Sequence, residues 1–168
     1  MMNTLMIRFA LSIMLFAFGH PVLPAQTEEQ MAKVFEWKFA LDAPDAGFVS
    51  MPETGGWEDP ATQAKVVCMA TPVPYSRMAE DLEALSSEDG QRILEKQVLE
   101  LNGVSGLLML FEFAPMAGED TEVVYTLMFA RPFQEFSLLL NAQYPKSQHV
   151  RLDSKMLTTF GSVRKKDD

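Results

Sequence analysis

Gln97-Val98-Leu99-Glu100-Leu101-Asn102-Gly103-Val104-Ser105-Gly106-Leu107-Leu108-Met109-Leu110-Phe111-Glu112-Phe113 carries two signals that decide the fold. Asn102-Gly103 tolerates the positive backbone angles of a type I′ turn, whose twist matches that of paired strands, so a hairpin is predicted here. Its second arm, Leu107 to Phe113, is apolar at odd and even positions alike down to Glu112. A strand alternates its side chains between two faces, so such an arm must be covered on both. The expectation is a sheet with layers above and below it.

Downstream, Glu122 to Ala130 and Phe136 to Ala142 read as further strands that extend the hairpin into a meander, after a loop at Pro115 to Asp120. Asp153, Met156, Leu157 and Phe160 recur at helical spacing and predict a closing amphipathic helix ending near Gly161, followed by the basic cluster Arg164-Lys165-Lys166. Upstream, Ser76 reads as the cap of a helix carrying Met78, Leu82 and Leu85, with Glu80, Asp81 and Glu83 toward its start. A second helical stretch over Glu88 to Glu95, with Ile93 and Leu94, follows the Ser86-Ser87 break. Lys65 to Ala70 reads as a strand closed by Pro72 and Pro74, and Gly55-Gly56-Trp57-Glu58-Asp59-Pro60 as a turn-rich loop. Phe35 to Leu41 alternates apolar and polar residues, as a strand with one buried face does.

The chain's 168 residues, 48% apolar and 22% charged, amount to one globular domain. The net charge of −9 argues against a nucleic-acid partner, whose phosphates call for clustered Lys and Arg. Cys68 is the only cysteine, which excludes an internal disulfide, and His20 and His149 are the only imidazoles. Arg8, the apolar run Phe9 to Phe18, and the breakers Gly19, Pro21 and Pro24 form the three parts of a secretory signal peptide. Ten apolar residues rise about 15 Å, half of a bilayer's hydrocarbon core. Residues 1–25 are therefore read as a signal peptide, cleaved after Gly19 or Ala25, and 26–168 as a single domain that is periplasmic or secreted. Membrane contact is expected only through an uncleaved signal segment.

Few residues point to chemistry. His149, in the polar segment Ser147-Gln148-His149-Val150, is read as an exposed loop histidine, and Cys68, between Val67 and Met69, as a small buried hydrophobe. The acidic pairs Glu58-Asp59, Asp81-Glu83 and Glu119-Asp120 lack the alternating ligands and turn glycine of a calcium loop and are read as solvated faces. Glu112, alone in an apolar strand, is expected at a strand end or in an ion pair. Phe111, Phe113, Phe129, Phe133 and Phe136 read as core. Trp57, between Gly56 and Glu58, is the candidate partner contact. No catalytic residue, cofactor site or metal site is assigned.

The order of elements resembles the PsbP-like fold family over about Trp37 to Val163: an N-terminal strand pair, central helices, a strand ending in Leu101-Asn102-Gly103 with Gly106 after it, two long strands, and a last helix ending in Leu157-Thr158-Thr159-Phe160-Gly161-Ser162. The resemblance implies an α+β fold in which an antiparallel sheet of about six strands is sandwiched between helices. It also implies non-enzymatic work, as in accessory subunits of the photosynthetic oxygen-evolving complex, DcrB-like envelope proteins and chaperones that cradle apolar segments. No functional residue transfers with it. The expectation is an accessory protein with a protein partner. The alternatives are a chaperone or immunity-type protein and, in another class, a small hydrolase or redox enzyme.

Overall fold

The computed structural model describes residues 37–71, 73–84, 86–87, 91–114, 123–134 and 136–166. The signal segment 1–25, Phe35-Glu36, Pro72, Leu85, Glu88 and the loop at 115–120 with Glu119-Asp120 lie outside the described residues, as do the side chains of Leu82 and Glu83.

Among the described residues the chain runs β1 (Phe39–Ala40), β2 (Val49–Met51), β3 (Gly56–Asp59), β4 (Ala64–Thr71), α1 (Tyr75–Ala84), β5 (Gln91–Leu101), β6 (Val104–Phe113), β7 (Val124–Phe133), β8 (Phe136–Pro145), a single 3₁₀ turn (Lys146–Gln148), α2 (His149–Gly161) and β9 (Arg164–Lys165). Seven strands form one sheet in the order β2-β3-β4-β8-β7-β6-β5, and β1 pairs with β9 in a separate ribbon. Every pairing is antiparallel. The fold is the expected α+β sandwich, with seven strands in the main sheet rather than about six.

The hairpin stands where Asn102-Gly103 predicts it. Asn102 has φ +50° and Gly103 φ +78°, the two positive angles of a type I′ turn, and Leu101 pairs directly with Val104. β6 is covered on both faces. Leu108 and Leu110 join the core beneath α2, with Leu127, Phe129, Leu140, Leu152, Met156 and Phe160. Leu107, Met109 and Phe111 join a second core with Met78 of α1. Opposite parities of one strand thus serve two separate cores, which is why no polar residue interrupts Leu107 to Phe111. At Gly106 a Cβ would lie 2.4 Å from the Phe129 ring and 2.6 Å from the Ala130 carbonyl, so the hairpin's second arm needs glycine there to seat against β7.

Five local readings are corrected. Glu88 to Glu95 is not helical where it is described: Gln91 onward belongs to β5, whose register slips between Ile93 and Glu95 at a bulge. Pairing along β6 overrides the helical propensity of Gln, Arg, Leu, Glu and Lys. Gly56 to Asp59 is a strand, not a loop, because both β2 and β4 pair with it. Ser76 lies within the first turn of α1 rather than capping it; the Pro74 carbonyl accepts from Arg77 and Met78, and no acidic residue occupies that turn. The last helix starts at His149, four residues before Asp153. Of the described part of the N-terminal alternating stretch, residues 37–41, Phe39–Ala40 pairs as a strand, with Phe39 and Leu41 buried.

Candidate functional site

Two polar clusters flank the first turns of α2. The first binds the strap of residues 41–48 to the body. Lys155 Nζ donates to Asp45 at 2.7 Å and Arg151 Nη1 lies 3.4 Å from the same oxygen. Arg151 Nη2 reaches Asp59 at 3.1 Å, and Asp59 also accepts from the Thr62 hydroxyl at 2.8 Å and the Ala61 N–H at 3.0 Å. The lysine beside Asp45 holds its carboxyl below the usual carboxylate range. The Thr62 hydroxyl does the same for Asp59, against an opposing effect of burial. Asp59 is therefore no solvated acid: its side chain is 6% exposed, and the charge is matched within the fold. Trp57, the candidate partner contact, lies in the same region. It is half-buried in β3, and its Nε1 donates to the Leu41 carbonyl at 2.8 Å, pinning the start of the strap.

The second cluster lies where β6, β7 and β8 meet α2. Glu112 accepts from Lys146 Nζ at 2.8 Å and pairs with Arg92 at 3.1 Å. Lys146 is the main reason its carboxyl stays ionised below the ordinary range. This is the ion-paired position expected for a lone carboxylate in an apolar strand. Tyr144 donates its hydroxyl to Asp153 Oδ1 at 2.6 Å, and His149 Nδ1 lies 2.6 Å from Asp153 Oδ2. The His149 ring meets the Tyr125 ring edge-on at 5.2 Å between centroids. His149 is thus a half-buried helix residue with a carboxylate partner, not an exposed loop histidine. Burial raises the Tyr144 phenol and the neighbouring Asp153 charge adds to the effect, so its hydroxyl remains a donor at neutral pH.

An Asp–His pair is the orienting half of a nucleophile-activating relay. The chain's one thiol is not brought to it. Cys68 pairs with Leu140 in mid-sheet, and His149 follows the end of β8 at Pro145, so five residues of strand, about 16 Å, lie between. Cys68 is half-buried against the core rather than fully buried as expected, and the desolvation there pushes its thiol up to about 12. Phe111 and Phe129 are buried in the core, and Phe113, Phe133 and Phe136 are half-buried against it. Phe129 stacks on Phe160, Phe111 leans on Phe113, and Phe133 and Phe136 meet Trp37 edge-on at 5.5 and 5.3 Å. Among the described residues no group of three or more His, Cys, Asp or Glu converges as a metal site, and no helix is long and apolar enough to cross a membrane.

The His149–Asp153 pair was legible as an i, i+4 spacing once the helix is known to start at His149. The Asp59–Arg151 pair joins residues 92 apart and has no local signal.

No protein-family model and no curated protein matches the chain. Among solved structures it is similar to PA94, a protein of unknown function from Pseudomonas aeruginosa, at 8% identity over 79% of this chain and 86% of that one, with a TM-score of 0.48. It is similar also to LpqN of Mycobacterium tuberculosis, involved in cell envelope biogenesis, at 11% identity over 86% of this chain and 99% of LpqN, with a TM-score of 0.45. A third similar structure is the cyanobacterial PsbP of Synechocystis, at 8% identity over 87% of this chain and 100% of PsbP, with a TM-score of 0.48.

Proposed function

We propose that this chain is an exported accessory protein that acts by holding a protein partner rather than by chemistry. The observation that carries the reading is how the chain uses its reactive side chains. Cys68 is kept protonated by burial, Glu112 is locked between Lys146 and Arg92, and Asp153 joins His149 to Tyr144 within the core's edge. Each serves the architecture. Export rests on the apolar run Phe9 to Phe18 behind Arg8, which is too short to span. Trp57 is the residue assigned to the partner, its ring half-buried on β3 while its N–H holds the strap.

N-terminal sequencing of protein recovered from the envelope fraction should read from His20 or Gln26; an intact Met1 would refute cleavage. A partner recovered in stoichiometric amount should be retained by Trp57→Phe, which keeps a ring, and lost with Trp57→Ala at unchanged fold. Turnover of a generic ester by wild type that disappears in the folded Cys68→Ser, His149→Ala double variant would replace the binding reading with an enzymatic one.

A further inference from the structure

Asn102 and Gly103, the two central residues of the β5–β6 turn, are both exposed. The backbone bonds that close the turn belong to Leu101 and Val104, which face each other across it, so the Gly103 N–H takes no part in the ladder. A Cβ at Gly103 would meet nothing within 4 Å. The backbone nitrogen that follows Asn102 is therefore open to water, and its own residue has no side chain to shield it. Asparagine is thermolabile because its side-chain amide carbon stands one five-membered ring away from that nitrogen.

The Asn102 amide also has a structural task. Its Nδ2 donates to the Gly161 carbonyl at 2.6 Å, the tie between the hairpin tip and the end of α2. The approach is close: a Cβ on Gly161 would lie 2.9 Å from the same nitrogen. The tie depends on an N–H donor, and a carboxylate at neutral pH only accepts. An acid in this place would set ionised oxygen against the Gly161 carbonyl, at the end of a helix whose dipole disfavours negative charge.

We propose that Asn102 is a deamidation site whose conversion unfastens the hairpin from α2. The Gly103 nitrogen gives up its proton and bonds to Asn102 Cγ; the Cγ–Nδ2 bond breaks, and the side-chain nitrogen leaves as ammonia. The resulting cyclic imide takes up water, the only co-reactant, and nothing is oxidised or reduced. Opening at Cγ gives aspartate. Opening at the Asn102 backbone carbonyl carbon gives isoaspartate, whose main chain runs through the former side chain and lengthens a turn that the Leu101–Val104 pairing keeps at two residues. Both products lack the donor. Ring closure expels the nitrogen that holds Gly161, so the intact tie opposes the reaction, fraying at the end of α2 permits it, and the product makes the release permanent. Asn141 serves as the internal comparison: it is 5% exposed, and the Ala142 that follows it is paired on both sides, with Val66 and Leu127. The inference is independent of the partner-holding reading, whose residue Trp57 lies on β3, beyond β4, β8, β7 and β6 from this hairpin's outer strand.

Ageing the purified protein for days in mildly alkaline buffer, followed by peptide mass spectrometry and thermal melts, tests it. The peptide holding Asn102 should gain the mass of an amide-to-acid exchange and split into two species of equal mass, aspartate and isoaspartate, while the Asn141 peptide stays unchanged. The melting midpoint should fall with the extent of conversion, by about 3 °C or more when conversion is complete, the shift expected for a lost helix cap. Fresh Asn102→Asp should already melt lower than wild type. Asn102→Gly, which keeps the turn and lacks the tie from the start, should not drift with age. Native protein should convert more slowly than protein unfolded in urea. An Asn102 peptide whose mass does not change in aged native protein overturns the proposal, and so does conversion that leaves the midpoint where it was. Equal rates in native and unfolded protein would overturn the opposition assigned to the Gly161 tie.

Discussion

The Asn102 side-chain amide donates to the Gly161 carbonyl at 2.6 Å, so the tip of the β5–β6 hairpin caps the C-terminal end of α2 across 59 residues of sequence. The last carbonyls of a helix have no partner within it, and here the turn residue supplies one. Asn102 therefore has two tasks, accepting φ +50° and closing the helix. Asn102→Gly keeps the first and loses the second, and should cost about 1 kcal/mol; Asn102→Ala loses both and should cost about 1–2 kcal/mol more than wild type's cap alone explains. Urea melts of the two variants separate the tasks, and equal midpoints would mean that the turn angle carries no strain.

Gly103 and Gly106 lie three residues apart in one hairpin and have different reasons to be glycine. A Cβ at Gly103 meets nothing within 4 Å, but φ is +78°; Gly103→Val should destabilise by about 1–3 kcal/mol through backbone strain. Gly106→Ala drives a methyl into the Phe129 ring and the Ala130 carbonyl, and should cost at least as much through overpacking. The signature differs. Gly106→Ala should shift the amide resonances of β7, whereas Gly103→Val should confine its shifts to the turn and the end of α2.

Arg151 faces two carboxylates, Asp45 and Asp59, the second almost fully buried. Arg151→Met should destabilise by about 1–3 kcal/mol, since it removes a charged partner from a group that cannot reach water, and the added change Asp59→Asn should recover part of the loss. A double-mutant cycle read by urea melts gives the coupling. The acid side of the stability profile tests the same cluster. Asp45 and Asp59 have folded values below their ordinary 3.8, so the fold binds fewer protons than the unfolded chain near that pH. Their contribution is fully present above the ordinary value and is lost as pH falls through the folded values. Stability should decline below about pH 4, and less steeply in Asp59→Asn. A profile identical in wild type and variant down to the acid transition would mean that Asp59 makes no ionised contact.

Cys68 should resist alkylation in the native protein at pH 8, because burial holds the thiol up at about 12, and should react stoichiometrically in urea. Native labelling by a thiol reagent as fast as that of free cysteine would place the side chain in water and reopen its use as a nucleophile.

The sequence by itself determined the hairpin and the two-sided sheet. Asn102-Gly103 acts through its own backbone angles, and Leu107 to Phe111 acts through a period-two pattern that leaves no face for water; both are local facts. It determined the closing helix through the spacing of Met156 and Phe160, and it narrowed Glu112 to a strand end or an ion pair, because a lone carboxylate in an apolar strand must reach water or a cation. Tertiary structure alone decided that Gln91 to Glu95 is strand. Its residues favour helix, and only the β6 ladder, from Phe113 back to Val104, outweighs that preference. It also decided that Glu58-Asp59 is a strand end and that Asp59 is buried against Arg151. Gly-Gly and Asp-Pro punctuate the stretch as a turn would, and the guanidinium that makes the burial tolerable arrives from a helix 92 residues on. Interactions whose energy is set within a few residues are written in the local sequence. Those whose energy depends on which distant group comes to rest beside them exist only once the chain has folded.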